Sequence, residues 1–375
     1  METVDIAVIG GGPAGLHAAE VAAGMGSKVV VFDGKPSVGR KFLVAGKGGL
    51  NLTHGGPLEG FVPNYQGEGN WEGLLRDFSN HDLREWCHGL GQETFEASSG
   101  RVYPKALKGA PVLRAWLARL REMGVEIRPK HLWQDLVPGN ILRFTNGVEV
   151  RAKSIVFALG GGSWPKTGSD GGWVGKFREL GIDCQPLVAS NCGWECDWSP
   201  VVLAAAEGLP IKNIHVRAGA KTVAGELLVT RYGLEGGAIY ALGGELRKMS
   251  EPAIEIDFKP TFSAAQLAAK PIREWKLSKP AAAILATSRF QDPAQLAKAA
   301  KSFRIPLLRP RPLSEAISSA GGIRWDELDG NLMLYKLPGV FVCGEMIDWD
   351  APTGGYLLQA AFATGACAGK AAAGF

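Results

Sequence analysis

The residues whose types and spacing most clearly define chemistry stand near the start of the chain. Gly10, Gly12 and Gly15 form a G-x-G-x-x-G run between the apolar stretch Val4–Ile9 and an alanine-rich segment. In that context the first glycine permits a tight turn, the second lets a pyrophosphate approach the backbone, and the third lets a helix pack on a strand. Pro13 and Ala14 fall at the start of the predicted helix, where free N–H groups face phosphates. A second apolar run, Lys28 to Phe32, ends at Asp33. An acid placed about twenty residues after the glycines accepts hydrogen bonds from ribose hydroxyls. Strand, helix, strand and terminal acid in this order predict a dinucleotide site rather than a glycine-rich turn in some other α/β protein.

Three later stretches add groups of the same kind. Gly34, Lys35, Arg40, Lys41, Gly46, Lys47, Gly48 and Asn51 lie in a long segment with little periodicity and several basic side chains. Successive backbone N–H groups in such a loop make an anion nest, and Arg40 or Lys41 adds charge against a diphosphate. A solvated basic loop is the alternative for Arg40 taken alone. Next, Ser154 to Leu159 reads as a buried strand running into Gly160 and Gly161, with Thr167 beyond. Trp164-Pro165 breaks any helix there, so a second, independent nucleotide domain is not expected. Finally, Gly339 to Cys343 reads as a strand ending at Gly344-Glu345, with Asp348 close behind, and Gly354-Gly355-Tyr356-Leu357 opens a helix. Glycine pairs before helices are also common turns.

These groups need a scaffold, and length and composition allow one. At 375 residues, 46% hydrophobic and 21% charged, the chain is long enough for two domains or for one domain carrying an insertion. Its 51 glycines are nearly double ordinary usage of about 7%, and they cluster as though the backbone repeatedly approaches a ligand. The first strand begins so early that no signal peptide is expected, and no apolar stretch has membrane-spanning length. A cytoplasmic protein without membrane contact is the expectation. The six cysteines form no disulfide framework; Cys192 and Cys196 lack the partners of a zinc set, so no metal is expected.

Helical spacing predicts one or two amphipathic helices over 71–90 and another from about Ala110 to Met123. Short segments at 125–128, 132–137, 141–144 and 148–151 predict a small antiparallel sheet. From Pro186 to about Leu332 the texture becomes alternating strands, at 214–217, 226–230 and 254–258, which predict a β-barrel-like insertion. The division is therefore 1–185 with 333–375 for the nucleotide domain and 186–332 for an inserted substrate domain. Within it, Lys270 to Arg311 carries ten Lys and Arg against only Glu274 and Asp292, although the whole chain is only +4. A solvated helical face is the common fate of such charge. Trp275, Phe290 and Phe303 interleave it, a composition suited to phosphate contact with base stacking.

Taken together, the motifs resemble the flavoprotein family that includes reductases of bile-acid intermediates and a ribosomal-RNA dihydrouridine synthase. Lys41, Gly46, Gly48, Asn51, Leu52 and Thr53 match its lysine, small-Gly-x-Gly and Asn-Leu-Thr pattern. Lys47, Gly49 and Leu50 differ from many members. Residues 158–165 resemble its Ala-Thr-Gly-Gly-x-Ser-x-Pro element, with Leu159 in place of the threonine. The resemblance implies an α/β fold: a two-dinucleotide-binding-type Rossmann FAD domain with the β-barrel-like insertion and its small helical arm. It implies that Glu345 bonds the ribityl chain, that a backbone group near Leu132 meets the adenine, and that amides after Gly354-Gly355 stabilise charge on the reduced flavin.

The same resemblance carries to the insertion. Residues 225–239 are similar to a family motif with Phe-Thr-His and Ser-Gly-Pro, where Arg231 replaces the histidine and Glu235 and Gly237 the serine and proline. The implied activity is FAD-dependent reduction of an activated carbon–carbon double bond in a small molecule, with NAD(P)H as transient donor. Arg231 or Tyr232 would then polarise the acceptor or donate a proton, unless Arg231 is a surface ion-pair partner. Two alternatives stand beside this: a uridine reductase whose basic arm grips RNA, and a flavin-bearing binding protein with little turnover.

Overall fold

Val4, Ile6, Ala7, Val8 and Ile9 are all buried along the first strand, Glu2–Ile9, because both faces of the sheet it belongs to are covered. The computed structural model describes Met1 to Phe375, apart from the side chain of Lys47. The first strand pairs in parallel with Val29–Asp33 on one side and with Glu149–Phe157 on the other. Glu126–Pro129 extends the sheet beyond Val29–Asp33, again in parallel. On the far side, the last third of Glu149–Phe157 carries Val340–Val342 in parallel, while its first residues pair with a hairpin of Trp133–Val137 and Ile141–Phe144. This is the expected Rossmann-type sheet.

Two strands differ from expectation. Glu126–Pro129 belongs to the parallel sheet rather than to an antiparallel one, because the helix Gly109–Glu122 before it is a crossover that returns the chain in the same direction. Segments 148–151 and 154–157 are one strand, Glu149–Phe157, whose early residues alternate buried and exposed and whose last four are buried throughout.

The first helix, Pro13–Gly24, and the last, Tyr356–Gly374, pack on the same side of the sheet and run parallel. Gly365 and Gly369 face Ala14 and Ala18, and a Cβ on Gly369 would lie 2.3 Å from the Ala18 carbonyl oxygen. Small residues four apart thus let the two backbones meet. Phe362, also on the last helix, is fully buried against Trp86 and Trp116, a contribution of roughly 2–3 kcal/mol.

The chain forms two compact units: Met1–Val188 with Ser318–Phe375, and Ala189–Ile317. The second is shorter than a 186–332 insertion. Cys184–Ser190 pairs with Ser318–Ile323, and Ile323, Leu328 and Leu332 bury in the core of the first unit. Those apolar residues return the chain before the final strand does.

The second unit is an antiparallel sheet in the order Trp194–Glu195, Gly233–Glu235, Lys221–Thr230, Pro210–Ala218, Ala253–Asp257, Phe303–Pro306. Beyond Pro306 the chain meets the first of these strands again. Glu195 donates its N–H to Arg309 (2.9 Å) and accepts from Leu308 (2.8 Å), which curls the sheet into the barrel-like form expected. Ile211, Ile214, Val216, Leu227, Val229, Ile254 and Ile256 fill it. Between Ala253–Asp257 and Phe303–Pro306 the chain forms the short helices Lys279–Ala286 and Pro293–Lys301. Among the described residues no helix is long and apolar enough to cross a membrane, and no group of three His, Cys, Asp or Glu is arranged to hold a metal.

Candidate functional site

Gly10 ends the first strand at φ +111°, and a Cβ there would lie 2.3 Å from the Ala158 carbonyl oxygen. Only glycine meets both demands. Gly12, in contrast, has no atom within 4 Å of its Cβ position, so the backbone is open to a ligand. The first helix begins there with Pro13 and Ala14, and no side chain caps its N–H groups. Gly15 lies against the Gly10 carbonyl, where a Cβ would be 2.0 Å away.

Asp33 ties this turn in place. Its carboxylate accepts from the N–H of Gly11 (2.8 Å) and of Lys35 (2.7 Å). Burial pushes its pKa up, while those two backbone donors and the charges of Lys35 and Arg40 pull it down. The Gly11 carbonyl in turn accepts from Gly39 (2.7 Å), which sets the start of the helix Arg40–Ala45. Arg40 Nε is buried there with no hydrogen-bond partner among the described residues. A buried guanidinium N–H is costly to leave unpaired, and an oxygen of a bound diphosphate would satisfy it.

Lys41 lies one residue on and reaches elsewhere. Its Nζ donates to Glu345 Oε2 (2.8 Å) and Ser163 Oγ (2.7 Å). Glu345 Oε1 accepts from the Ser319 backbone N–H (2.8 Å) and hydroxyl (3.2 Å), and the Ser319 hydroxyl accepts from Gly162 N–H (3.0 Å). Three distant stretches therefore converge on Glu345. Ser319 carries no motif, and its only sequence signal is a polar residue preceding Gly321-Gly322.

Gly344, at φ +75°, donates to Thr364 Oγ1 on the last helix (2.9 Å). Asn51 joins the other end of that helix to the loop. In the orientation that satisfies its neighbours, its amide donates to the carbonyls of Thr53 and Val102 and its oxygen accepts from Gly355 N–H. Gly355 adopts φ +99°, with Thr53 backbone atoms 2.3 Å from a Cβ position, and no side chain caps the helix it begins. Asn51 is thus a clamp that aims Gly354 and Gly355. Tyr356 stacks on His54 (5.3 Å between centroids) and Leu357 packs partly into the core.

The remaining expected contacts are scattered. Gly34 abuts Leu132, which is 55% exposed beside Asp33. Lys35 packs along Gly168, and Thr167 bonds back to the Trp164 carbonyl (2.7 Å). Ala158 is buried, Leu159 donates its N–H to Met346 Sδ, and the carbonyls of Gly160 and Gly161 accept from Trp173 and Ser169. Gly46 is buried against Gly109 and Gly48 is exposed, with open space around it. The Lys47 side chain lies outside the described residues. The Asp348 carboxylate bonds the Gly321 backbone rather than standing free.

These groups fit FAD. Residues 14 and 365, and 18 and 369, lie side by side, so eight residues of the last helix precede the level at which the first begins. At 1.5 Å per residue its uncapped end lies about 12 Å further along. Two helix N-termini at that offset, with Arg40 beside one, suit a molecule with a diphosphate at one end and an electron-accepting ring at the other.

In the second unit, Arg231 is exposed on the turn between Lys221–Thr230 and Gly233–Glu235 and makes no hydrogen bond or ion pair among the described residues. Tyr232 is half-buried. Its hydroxyl donates to Glu235, as does that of Tyr240, and the Arg311 guanidinium stacks on its ring (4.3 Å). Burial, then the Glu235 carboxylate, hold both phenols well above the usual tyrosine range. Tyr232 alone is therefore a weak acid. Neither Glu235 nor Tyr240 was expected to bond Tyr232 or its neighbour, and only their short spacing hints at this group.

The basic arm is not a continuous stripe. Lys301 pairs with Asp257, while Arg309 and Arg311 both pair with Glu195. Trp275 is a core residue, 2% exposed, with its indole N–H on the Leu267 carbonyl (2.9 Å), so it is not available to stack a base. Phe290 remains exposed, and Phe303, Lys298 and Arg304 share with it a cleft of about 510 Å³.

Comparison with known proteins agrees with this construction. A family model described as HI0933-like protein Rossmann domain matches residues 4–371. The chain is similar to the 3-dehydro-bile acid delta(4,6)-reductase of Clostridium scindens, 26% identical over 98% of both chains. It is 23% identical to the ribosomal RNA dihydrouridine synthase of Escherichia coli, again over 98% of both. Among solved structures, 3-ketosteroid-delta4-(5alpha)-dehydrogenase of Rhodococcus jostii RHA1 shares the fold at a TM-score of 0.54 and 15% identity, covering 99% of this chain and 97% of that one.

Proposed function

Since the chain belongs to the HI0933-like family and is a flavin-dependent oxidoreductase, we propose that it uses NAD(P)H from the cytoplasm to reduce an activated carbon–carbon double bond in a small molecule. The observation that carries this reading is the end-to-end likeness to a delta(4,6)-reductase, over 98% of each chain. When bound, FAD supplies the hydride that the electron-poor carbon accepts.

The chain's own residues do the rest. Gly12, the start of the first helix and Arg40 bind the diphosphate; Asp33 and the Gly34–Leu132 surface hold the adenosine end. Lys41 and Ser319 orient Glu345 toward the ribityl hydroxyls. Gly355 and the helix behind it place N–H dipoles where charge develops on the ring. Arg231, always charged and without a partner of its own, stabilises the acceptor's carbonyl oxygen as it gains negative charge. Tyr232, beside it, holds the proton that the α-carbon takes.

The test uses purified protein under anaerobic conditions. Extraction yields FAD, NADPH or NADH bleaches it, and an enone such as 4-androstene-3,17-dione restores the oxidised spectrum with formation of a product heavier by two hydrogens. A bleached cofactor that no enone reoxidises contradicts the reading. The cleft at Phe290 and the likeness to a ribosomal RNA dihydrouridine synthase favour a second reading, reduction of uridine in RNA. Loss of one dihydrouridine from ribosomal RNA in a deletion strain selects it.

A further inference from the structure

The strand Arg101–Pro104 is the middle of a three-stranded antiparallel sheet, between Thr53–His54 and Thr94–Glu96. Side chains alternate along it: Val102 and Pro104 are buried, while Arg101 and Tyr103 share the other, half-buried face. That face meets two glycine-bearing loops of the cofactor site. Tyr103 Cε1 lies 3.5 Å from the Cβ position of Gly49, and Arg101 Nε lies 3.7 Å from that of Gly354.

The strand and the loop at Gly354 are tied together. Asn51 donates its amide to the carbonyls of Thr53 and Val102 and accepts from Gly355 N–H. Leu52 N–H adds a bond to the same Val102 carbonyl (2.9 Å). One side chain thus joins the residue after Arg101 to the residue after Gly354. Gly355 in turn starts the 19-residue helix Tyr356–Gly374, whose first N–H groups no side chain caps.

The charge of Arg101 has the wrong sign for that place. A helix N-terminus carries partial positive charge and is stabilised by acids, not by cations. The first turn of this helix holds no acid, and Arg101 makes no hydrogen bond or ion pair among the described residues. Glu96, on the next strand, pairs with Arg84 instead (3.9 Å). A guanidinium that is always charged and an uncapped helix start therefore meet with no carboxylate of either element to neutralise them. Negative charge that arises there is met by both.

We propose that Arg101 is the cation that, together with the start of the last helix, stabilises the negative charge of the reduced flavin ring and so raises its reduction potential. This role rests on FAD placing its ring at Gly354 and Gly355, and it does not depend on which acceptor the enzyme reduces. The charge balance is direct: a hydride from NAD(P)H brings two electrons and one proton to a neutral ring, which becomes an anion as the nicotinamide is oxidised. Arg101 exchanges no proton and acts through its charge alone.

The experiment compares full-length, FAD-loaded wild type with Arg101→Met, Arg101→Gln and Arg101→Lys. Each protein is reduced anaerobically in equilibrium with a dye of known potential, and FAD binding is followed by flavin fluorescence. In both neutral variants the reduced form loses about tenfold in stability relative to the oxidised form, a fall of about 30 mV for a two-electron couple. By linkage the same tenfold appears in binding: reduced FAD is held about tenfold more weakly, and oxidised FAD within about twofold of wild type. Arg101→Lys, which keeps a charge, lies closer to wild type than to Arg101→Met.

An unchanged potential in the neutral variants overturns the role. Equal weakening of oxidised and reduced FAD overturns it too, since an arginine that only supports the fold holds both forms alike. An Arg101→Lys protein as low in potential as Arg101→Met has the same consequence. A purified wild-type protein that yields no FAD overturns the cofactor reading itself. A potential that falls as described in a protein that reduces no enone leaves Arg101 in its role and removes the proposed acceptor.

Discussion

The two units build their sites from different materials. In the first, the ligand-facing groups are mostly backbone: the turn at Gly10 to Gly12 and the two helix starts at Pro13 and Tyr356. Side chains there serve to lock backbone in place, as Asp33 does for Gly11 and Asn51 for Gly355. In the second, the proposed site rests on side chains: Arg231, without a partner among the described residues, and Tyr232, bonded with Tyr240 to Glu235. A backbone site tolerates few changes of sequence where sterics fix its glycines, as at Gly10, Gly15 and Gly355. A side-chain site can be rewritten residue by residue while the sheet beneath persists.

The sharpest way to break that contrast is at Gly355. Alanine there meets φ +99° and Thr53 backbone atoms 2.3 to 2.5 Å away. A cost of roughly 3 kcal/mol is expected, enough to lose bound FAD on gel filtration and lower the melting temperature by several degrees. A Gly355→Ala protein that keeps its flavin at wild-type stability would mean the last helix is not held as described. Next comes Trp275→Ala, which cuts the core of the second unit by about 3–5 kcal/mol. Unfolding of the variant by urea measures this. Phe290→Ala, at an exposed site, leaves the midpoint unchanged within about 0.5 kcal/mol and weakens any RNA binding instead.

Lys41→Met is a smaller perturbation. It leaves Glu345 with Ser319 alone and is expected to weaken FAD about tenfold, measured by the rise in flavin fluorescence on dilution. If affinity is unchanged, Glu345 needs no help from Lys41. The smallest effect concerns thiols. Burial pushes Cys87 and Cys196 up to about 12 and Cys184 and Cys367 up to about 11. These stay protonated and unreactive at pH 8. A thiol reagent should label them slowly in the native protein and quickly in denaturant.

The contrast also explains what could be read before the fold was known. The turn at Gly10 to Gly15 and the strand end at Gly344 were legible because φ or close contacts demand glycine at Gly10, Gly15 and Gly344. Asp33, picked out for ribose, is seen to bond the Gly11 and Lys35 amides. Ser319 was not, since its partners Gly162 and Glu345 are 157 and 26 residues away and a serine has no spacing rule. The bond of Asn51 to Gly355 was not legible, because an amide's partners depend on which loop lies opposite. The basic arm read as one stripe because sequence counts charges without their partners. Asp257 and Glu195, outside the segment, neutralise part of it, and Trp275 turns inward. The return at Ser318 was missed because Ser318–Ile323 is short and glycine-bearing, and only its partner strand identifies it.

The proposal that the protein is a flavin-dependent enone reductase whose proton comes from Tyr232 is tested most directly by rapid mixing of Tyr232→Phe. The account predicts that NADPH bleaches the variant's flavin at the wild-type rate while reoxidation by 4-androstene-3,17-dione slows about 100-fold or more. Equal slowing of both half-reactions, or of neither, would contradict it.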